Sequence, residues 1–157
     1  MLIDYDLRPY RPCVGIVLIN QAKQVFVGQR LDNSVEAWQM PQGGIDDGET
    51  AIEAGFREMM EEIGTNNAEI IGEHSSWLDY DIPINLANRL WNGQFKGQTQ
   101  KWLAFNYLGD DQDININTIE PEFRSWKWAK PKALPNLAVP FKRDVYQNII
   151  SEFADLF

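Results

Sequence analysis

Three glutamates, Glu58, Glu61 and Glu62, lie close together in a strongly acidic stretch, residues 43–65. The stretch holds seven acidic residues and one basic residue, a local charge of −6 out of −9 for the whole chain. On a helix, Glu58 and Glu62 stack one turn apart with Glu61 beside them. Like charges at this spacing cost a few tenths of a kcal/mol per pair, roughly 0.2–0.5, and a bound cation removes that cost. Magnesium prefers carboxylates, water and phosphate oxygens, so the cluster suits a metal-dependent site.

The order of the surrounding residues distinguishes such a site from a solvated acidic helix face, the usual meaning of a charge run. Gly43 is followed after five residues by Glu49, after seven more by the pair RE at 57–58, and then by EEIG at 61–64. This order resembles the Nudix box, G-x5-E-x7-R-E-U-x-E-E-x-G-U with U apolar, at every fixed position. Thr65 stands where an apolar residue is usual, a departure that concerns packing and no ligand. The chain is therefore identified as a member of the Nudix hydrolase family.

The resemblance extends beyond the box. Five blocks are similar to the bacterial RNA pyrophosphohydrolases and the related dinucleoside polyphosphate hydrolases: 11–16 (RPCVGI), 38–46 (WQMPQGGID), 97–102 (GQTQKW), 121–128 (PEFRSWKW) and 139–146 (VPFKRDVY). The resemblance implies an α/β/α sandwich with a mixed sheet, formed by a single domain over residues 1–157. It also implies hydrolysis of a phosphoric anhydride.

The catalytic set expected from these similarities is Glu61, Glu122, Arg57 and Glu49. Arg57 can pair with Glu61 one turn away or reach back to Glu49, so we interpret Glu49 as an orienting residue. In the similar enzymes a glutamate outside the box helps with the attacking water, and Glu122 stands in the matching block. Without that block Glu122 would be an ordinary surface acid. Glu58, Glu61 and Glu62 are the expected ligands of Mg²⁺ or Mn²⁺.

Substrate binding requires cations and a flat apolar surface. By the positions that match the similar enzymes, the expected set is Arg11, Arg30, Lys101, Val139, Phe141 and Lys142. Phe141 and Val139 are expected to contact a nucleobase, although an aromatic residue just before a helix is more often a core residue. Tyr80 and Trp77 are weaker aromatic candidates that we interpret as core residues.

Three functions fit this pattern. The favoured one is removal of pyrophosphate from the 5′-triphosphate end of RNA, and the alternative is hydrolysis of dinucleoside polyphosphates such as diadenosine tetraphosphate. A non-catalytic nucleotide-sensing domain is a third possibility, because a fold does not guarantee activity; the intact set of three glutamates argues against it. With a net charge of −9 the chain lacks the broad basic surface of a protein that binds duplex nucleic acid.

Composition predicts a globular chain of 157 residues, 44% hydrophobic, and we expect neither a membrane span nor a signal peptide. The single cysteine, Cys13, excludes an internal disulfide and indicates a reducing, cytoplasmic location. We interpret Cys13 as a packing residue and the single histidine, His74, as structural or surface-exposed. With so few Cys and His residues, a zinc site has no ligand set.

The acidic stretch is predicted to be helical. Thr50 and Glu53 form a capping box, Gly64 ends the helix, and the apolar residues at 52, 56, 59 and 63 share one face. Strands are predicted at 14–19, 24–28, 70–80, 101–108 and 124–129, and an amphipathic helix follows residue 140. Residues 83–97 are expected to be a connection. These elements predict a mixed sheet between helices.

Overall fold

The computed structural model describes residues 2–31 and 36–157, and within them the chain forms seven β-strands and four α-helices. The strands are β1 (Tyr10–Ile19), β2 (Val25–Arg30), β3 (Gln42–Gly44), β4 (Ala68–Glu73), β5 (Leu78–Asp81), β6 (Gly97–Tyr107) and β7 (Phe123–Ala129). The helices are α1 (Ala51–Ile63), α2 (Ile84–Ala87), α3 (Leu134–Leu137) and α4 (Arg143–Glu152). No helix in these two described ranges is long and apolar enough to cross a membrane.

The strands form one mixed sheet in the order β4-β6-β1-β2-β7, with β3 paired to β1 and β5 paired to β6. The central pair, β1 and β6, is parallel from Tyr10 opposite Gly97 to Ile19 opposite Asn106. The pairs β1–β2, β2–β7 and β4–β6 are antiparallel. Because β1 is covered on both faces, it is apolar almost without interruption from Cys13 onward.

A helix covers each face of the sheet. On one face, Ile16 and Leu18 of β1 pack in the same apolar cluster as Met59 and Ile63 of α1. On the other face, the alternate residue Val17 lies in a second cluster with the α4 residues, which are Val145, Tyr146 and Ile149. Successive strand residues point to opposite faces, so one strand supplies both clusters. The predicted α/β/α sandwich with a mixed sheet is confirmed.

The caps predicted for α1 are present. The backbone N–H of Glu53 donates to the Thr50 hydroxyl at 3.1 Å, and the backbone N–H of Thr50 donates to the Glu53 carboxylate at 3.2 Å. Gly64 ends the helix in the left-handed conformation, at φ 74°. Met59 and Ile63 are fully buried, and Ile52 packs against the same cluster, so the predicted apolar face is confirmed.

The strand predicted at 70–80 is in fact two strands. β4 pairs with the end of β6, from Leu103 to Tyr107, whereas β5 pairs with its beginning, from Gly97 to Gln100. The chain steps between these registers at His74, which is buried and lies 2.6 Å, Nε2 to Oδ1, from Asn148. The predicted connection at 83–97 contains α2 and a 3-10 turn rather than a plain loop.

Candidate active site

Helix α1 places two of the three candidate metal ligands in the interior. Glu58 and Glu62 are 9% and 5% exposed, whereas the Glu61 side chain is 58% exposed. The Glu58 carboxyl group lies directly against β3: a Cβ at Gly43 would be 2.0 Å from Glu58 Cδ. Gly43 therefore allows the helix and the strand to approach closely enough to enclose the carboxylate.

Burial makes the charged forms of these two side chains unfavourable. The pKa of Glu58 is raised, chiefly by burial, in spite of a hydrogen bond from Arg57 that lowers it. The pKa of Glu62 is raised well above its usual range by burial and then by the charge of Glu58. Glu62 Oε2 is buried and has no hydrogen-bond partner. A buried, unpartnered carboxylate oxygen beside a second carboxylate suits a cation, so the residues fit a metal ion.

Arg57 ties the neighbouring acids together. Its Nε and Nη2 donate to the two carboxylate oxygens of Glu49 at 2.7 and 2.9 Å, and Nη2 also donates to the Gly44 carbonyl at 2.8 Å. Its Nη1 donates to Glu58 at 2.9 Å and to Glu61 at 3.2 Å. Hydrogen bonds from Arg57 lower the pKa of Glu49 to about 2. Both of the contacts that the sequence suggested for Arg57 are therefore present.

Within residues 2–31 and 36–157, no three His, Cys, Asp or Glu side chains already surround a single point in the way a metal ion requires. Glu61 is turned toward Arg57 Nη1, which donates to its Oε2 at 3.2 Å. Glu58 and Glu62 form the buried part of the candidate metal site, and Glu61 stands at its exposed edge.

These carboxylates open onto a cavity of about 590 Å³. Most of the residues expected at the site line this cavity, namely Arg11, Arg30, Glu58, Glu61, Glu62, Glu122, Val139, Phe141 and Lys142. Arg57 and Glu49 do not line the cavity. The Arg57 guanidinium group contacts Glu49 and also Glu58 and Glu61, which do line it. Residues that are far apart in the sequence thus meet around the acidic helix.

Lys101 does not join this group. It lies outside the cavity lining, and its Nζ donates a hydrogen bond to the His74 carbonyl. Successive residues of β6 point to opposite faces of the sheet. Lys101 points to the same face as Leu103, which packs in the cluster of α1, whereas Gln98 points to the same face as Trp102 and lines the cavity. The structure thus does not bring Lys101 to the cavity with the other cations that were expected near the phosphates or the base.

Two cations lie close together in the cavity. Lys142 is 7% exposed, and its Nζ is 3.3 Å from the side-chain oxygen of Gln39. Burial, followed by the charge of Arg30, lowers the pKa of Lys142 to about 8. Arg30 Nη2 lies 3.9 Å from Glu122 Oε2. An anionic ligand would relieve the repulsion between Arg30 and Lys142, so this part of the cavity favours phosphate.

The aromatic part of the cavity consists of Phe141 stacked on Tyr80, with ring centroids 5.9 Å apart and planes at 27°. Tyr80, which the sequence assigned to the core, is buried and still lines the cavity. Its hydroxyl donates to Gln98 Oε1 at 2.6 Å, and Gln42 Nε2 donates to the same atom at 3.1 Å. The sequence analysis missed these glutamines, although a polar residue among the buried positions of a strand was a usable signal.

A metal-free stability measurement tests the burial of Glu62. The pKa of Glu62 in the folded state is raised above the reference value of 4.5. Protonated Glu62 therefore contributes stability that is fully present below pH 4.5 and is lost as the pH rises through the folded-state pKa. Replacing it by Gln removes this loss. In the presence of a chelator, Glu62→Gln should therefore raise the melting temperature more at about pH 7.5 than at about pH 5. Equal shifts at the two pH values would contradict the prediction.

The chain is similar to known proteins over most of its length. The model of the NUDIX domain matches residues 9–149. The chain is 54% identical over 150 residues to the RNA pyrophosphohydrolase of Orientia tsutsugamushi (strain Boryong), covering 96% of this chain and 93% of that protein. It is 57% identical over 146 residues to the RNA pyrophosphohydrolase of Rhodospirillum rubrum, covering 93% and 88%.

Solved structures share the fold. The E. coli dihydroneopterin triphosphate pyrophosphohydrolase superposes with a TM-score of 0.68 at 22% identity, over 91% of this chain and 98% of that chain. A C. elegans Ap4A hydrolase in a binary complex gives a TM-score of 0.63 at 17% identity, over 92% and 99%. The family match covers most of the chain, and the similar enzymes are more than half identical over nearly their full length. The chain therefore belongs to the NUDIX domain family.

Proposed function

We propose that the protein is a divalent-metal-dependent pyrophosphohydrolase that removes pyrophosphate from the 5′-triphosphate end of RNA. One observation carries this function: the buried Glu58 and Glu62 pair opens onto a cavity that also holds Arg30, Lys142 and the ring of Phe141. Such a cavity can take a metal ion, a phosphate chain and a base together. The relatives named RNA pyrophosphohydrolase support RNA as the substrate, and the reaction is expected in the cytoplasm.

The carboxylates would have two roles, binding of the metal ion and activation of the attacking water. Glu58, Glu61 and Glu62 would hold Mg²⁺ or Mn²⁺, which when bound neutralises phosphate charge and lowers the pKa of water. Arg57 keeps Glu58 and Glu61 in place through its Nη1. Glu122 lines the same cavity, close enough for its charge to raise the pKa of Glu62. Its role is to orient the attacking water and accept its proton.

The cations and the aromatic face would bind the substrate. Arg11, Arg30 and Lys142 lie in the cavity lining, where they can meet the phosphate chain. Phe141 is partly buried, and one face of its ring is supported by Tyr80. A ring supported on one side and lining the cavity offers a preorganised stacking surface for a nucleobase, so base recognition is expected there.

Removing this ring should weaken any substrate that is bound through its base. Stacking on an aromatic side chain is worth roughly 1–3 kcal/mol per base, so Phe141→Ala should lower kcat/KM for a 5′-triphosphate oligonucleotide by about tenfold or more. A polyphosphate without a base should be unaffected. Steady-state kinetics on oligonucleotides that differ only in their first bases would measure the effect.

Phe157→Ala is a suitable control, because Phe157 packs against the same apolar cluster without lining the cavity. If Phe141→Ala lowers kcat/KM by the same small factor on every substrate and also lowers the melting temperature, Phe141 is a core residue.

The alternative substrate, a dinucleoside polyphosphate, is tested by direct comparison. Turnover of a 5′-triphosphate oligonucleotide and of diadenosine tetraphosphate should be measured side by side at the same magnesium concentration. The proposed function requires the higher kcat/KM for the oligonucleotide. A preference for diadenosine tetraphosphate would make the protein a dinucleoside polyphosphate hydrolase, and no turnover of either would leave a nucleotide-sensing domain.

A further inference from the structure

The 82–96 loop forms a part of the cavity that the proposed function does not use. It contributes Leu86, Arg89, Leu90 and Trp91 to the lining. The sequence analysis treated most of this loop as a connection between strands. Its contacts show a segment that is fixed to the N-terminal part of the chain, close to the beginning of β1.

The N-terminal residues hold the loop at its base and at its middle. The Tyr5 hydroxyl donates to the carbonyls at both ends of the loop, 2.6 Å to Ile82 and 3.3 Å to Lys96. Arg8, which is 4% exposed, donates from Nη2 to Asn88 Oδ1 at 2.7 Å. The loop is therefore anchored to the segment that leads directly into Arg11 on β1.

The tip of the loop has an unusual backbone. Trp91, Asn92 and Gly93 follow one another in the left-handed region, at φ 49°, 58° and 69°. A side chain with a Cβ carries a steric cost in this region, and consecutive non-glycine residues there are uncommon. Such strain persists only where the surrounding structure holds it, and it is concentrated at functional sites. Here the turn places the Trp91 indole ring at the cavity.

The partner of that ring is Arg11. The Arg11 guanidinium carbon lies 5.0 Å from the centroid of the Trp91 ring, and Nη1 is 3.3 Å from Cys13 Sγ. A Cβ at Gly44 would be 2.4 Å from Arg11 Nη2, so the guanidinium group lies against β3, next to the residue that contacts Glu58. Among the residues that the structure describes, no carboxylate forms an ion pair with Arg11.

An aromatic ring and a carboxylate would hold an arginine with different consequences. A carboxylate would neutralise the guanidinium charge and would repel an incoming phosphate. A ring attracts the cation through its quadrupole and leaves the positive charge intact. The planar guanidinium group also stacks on a ring while its N–H groups stay free to donate.

We propose that Trp91 is a positioning residue, which holds the charged Arg11 guanidinium group at the cavity for the phosphate chain of the substrate. The left-handed Trp91–Gly93 turn serves to present the ring, and the contacts of Tyr5 and Arg8 fix the loop that carries it. This assignment rests on the proposed function only in requiring that the substrate carries a polyphosphate.

Kinetics of Trp91 variants test the assignment. Trp91→Leu keeps an apolar side chain but removes the ring, so KM for a 5′-triphosphate oligonucleotide should rise about three- to tenfold with little change in kcat. Trp91→Phe should restore most of the affinity. In an Arg11→Gln background, Trp91→Leu should have almost no further effect, because the two residues act as one unit. Trp77→Leu is the matched control, because Trp77, which we interpreted from the sequence as a core residue, is in fact exposed and lies outside the cavity lining.

Thermal unfolding of each variant separates positioning from folding. Losses that add in the double variant, or a KM for Trp91→Leu equal to that of the wild type, would overturn the assignment. If the wild type does not hydrolyse the oligonucleotide, the proposed function fails, and the same cycle is then measured as the Kd of inorganic tripolyphosphate. The losses of tripolyphosphate affinity in the two single variants are again expected to be non-additive in the double variant. Additive losses, or no loss for Trp91→Leu, would overturn the role of Trp91.

Discussion

Replacing Glu62 by Gln is expected to lower kcat by about a hundred- to a thousandfold and to leave the fold intact, and Glu58→Gln should do the same. Each substitution removes one of the two buried carboxylates proposed to hold the metal ion. A bound metal ion contributes several kcal/mol of charge stabilisation in the transition state, and each 1.36 kcal/mol is worth a factor of ten in rate. Turnover at saturating Mg²⁺ and circular dichroism would measure both parts of the prediction.

Glu73→Gln provides the control for this effect, because Glu73 is an exposed acid at the end of β4, outside the cavity lining. Its activity should equal that of the wild type. A chelator should abolish activity in the wild type, and Mg²⁺ or Mn²⁺ should restore it. Turnover that continues after chelation, or a Glu62→Gln variant with undiminished kcat, would end the metal hypothesis.

The second large effect is expected at Glu122. A general base in the transition state is typically worth 10²- to 10⁴-fold, so Glu122→Gln should lower kcat by about that factor and change KM by less than about twofold. Glu122 is suited to this role because it is partly exposed to the cavity, 3.9 Å from Arg30 Nη2, and is not enclosed in the core. Measurement of kcat and KM on the triphosphate oligonucleotide separates the two effects.

Glu120→Gln is the natural comparison, since Glu120 is exposed two residues earlier and does not line the cavity. A rise in KM alone for Glu122→Gln would make Glu122 a binding residue that acts with Arg30. Unchanged kcat and KM for Glu122→Gln would show that Glu122 is an ordinary surface acid.

Sequence analysis succeeded where structure is local. The capping box of Thr50 and Glu53, the end of α1 at Gly64 and the buried face of Met59 and Ile63 were all predicted correctly, because a few neighbouring residues decide each of them. The strand at 70–80 was predicted as one element although it is two. Its break depends on two different registers against β6, and no local pattern records the register of a distant strand.

The tertiary structure also decided which side chains meet. The spacing of Glu58 and Glu62 suggested a small repulsion on a helix flank. In the fold both side chains are buried, and burial becomes the largest influence on their pKa values. Lys101 belongs to a block that resembles related enzymes, yet its Nζ binds the His74 carbonyl. In the sequence, Trp91 lies in a segment predicted to be a connection, and only the structure shows the left-handed turn that places its ring against Arg11.

By itself, the sequence determined the helix that carries the three glutamates, the sandwich of helices around a mixed sheet, and the family. The helix and a mixed sheet between helices follow from periodicity and caps, and the family follows from the resemblance of the residue order to the Nudix box. Both kinds of signal lie in short segments of chain. Only the tertiary structure decided that Glu62 is buried with its Oε2 atom unpartnered, that Lys142 lies beside Arg30, and that Trp91 holds Arg11. Burial and charge at a site depend on atoms contributed by distant segments, and those atoms come together only when the whole chain has folded.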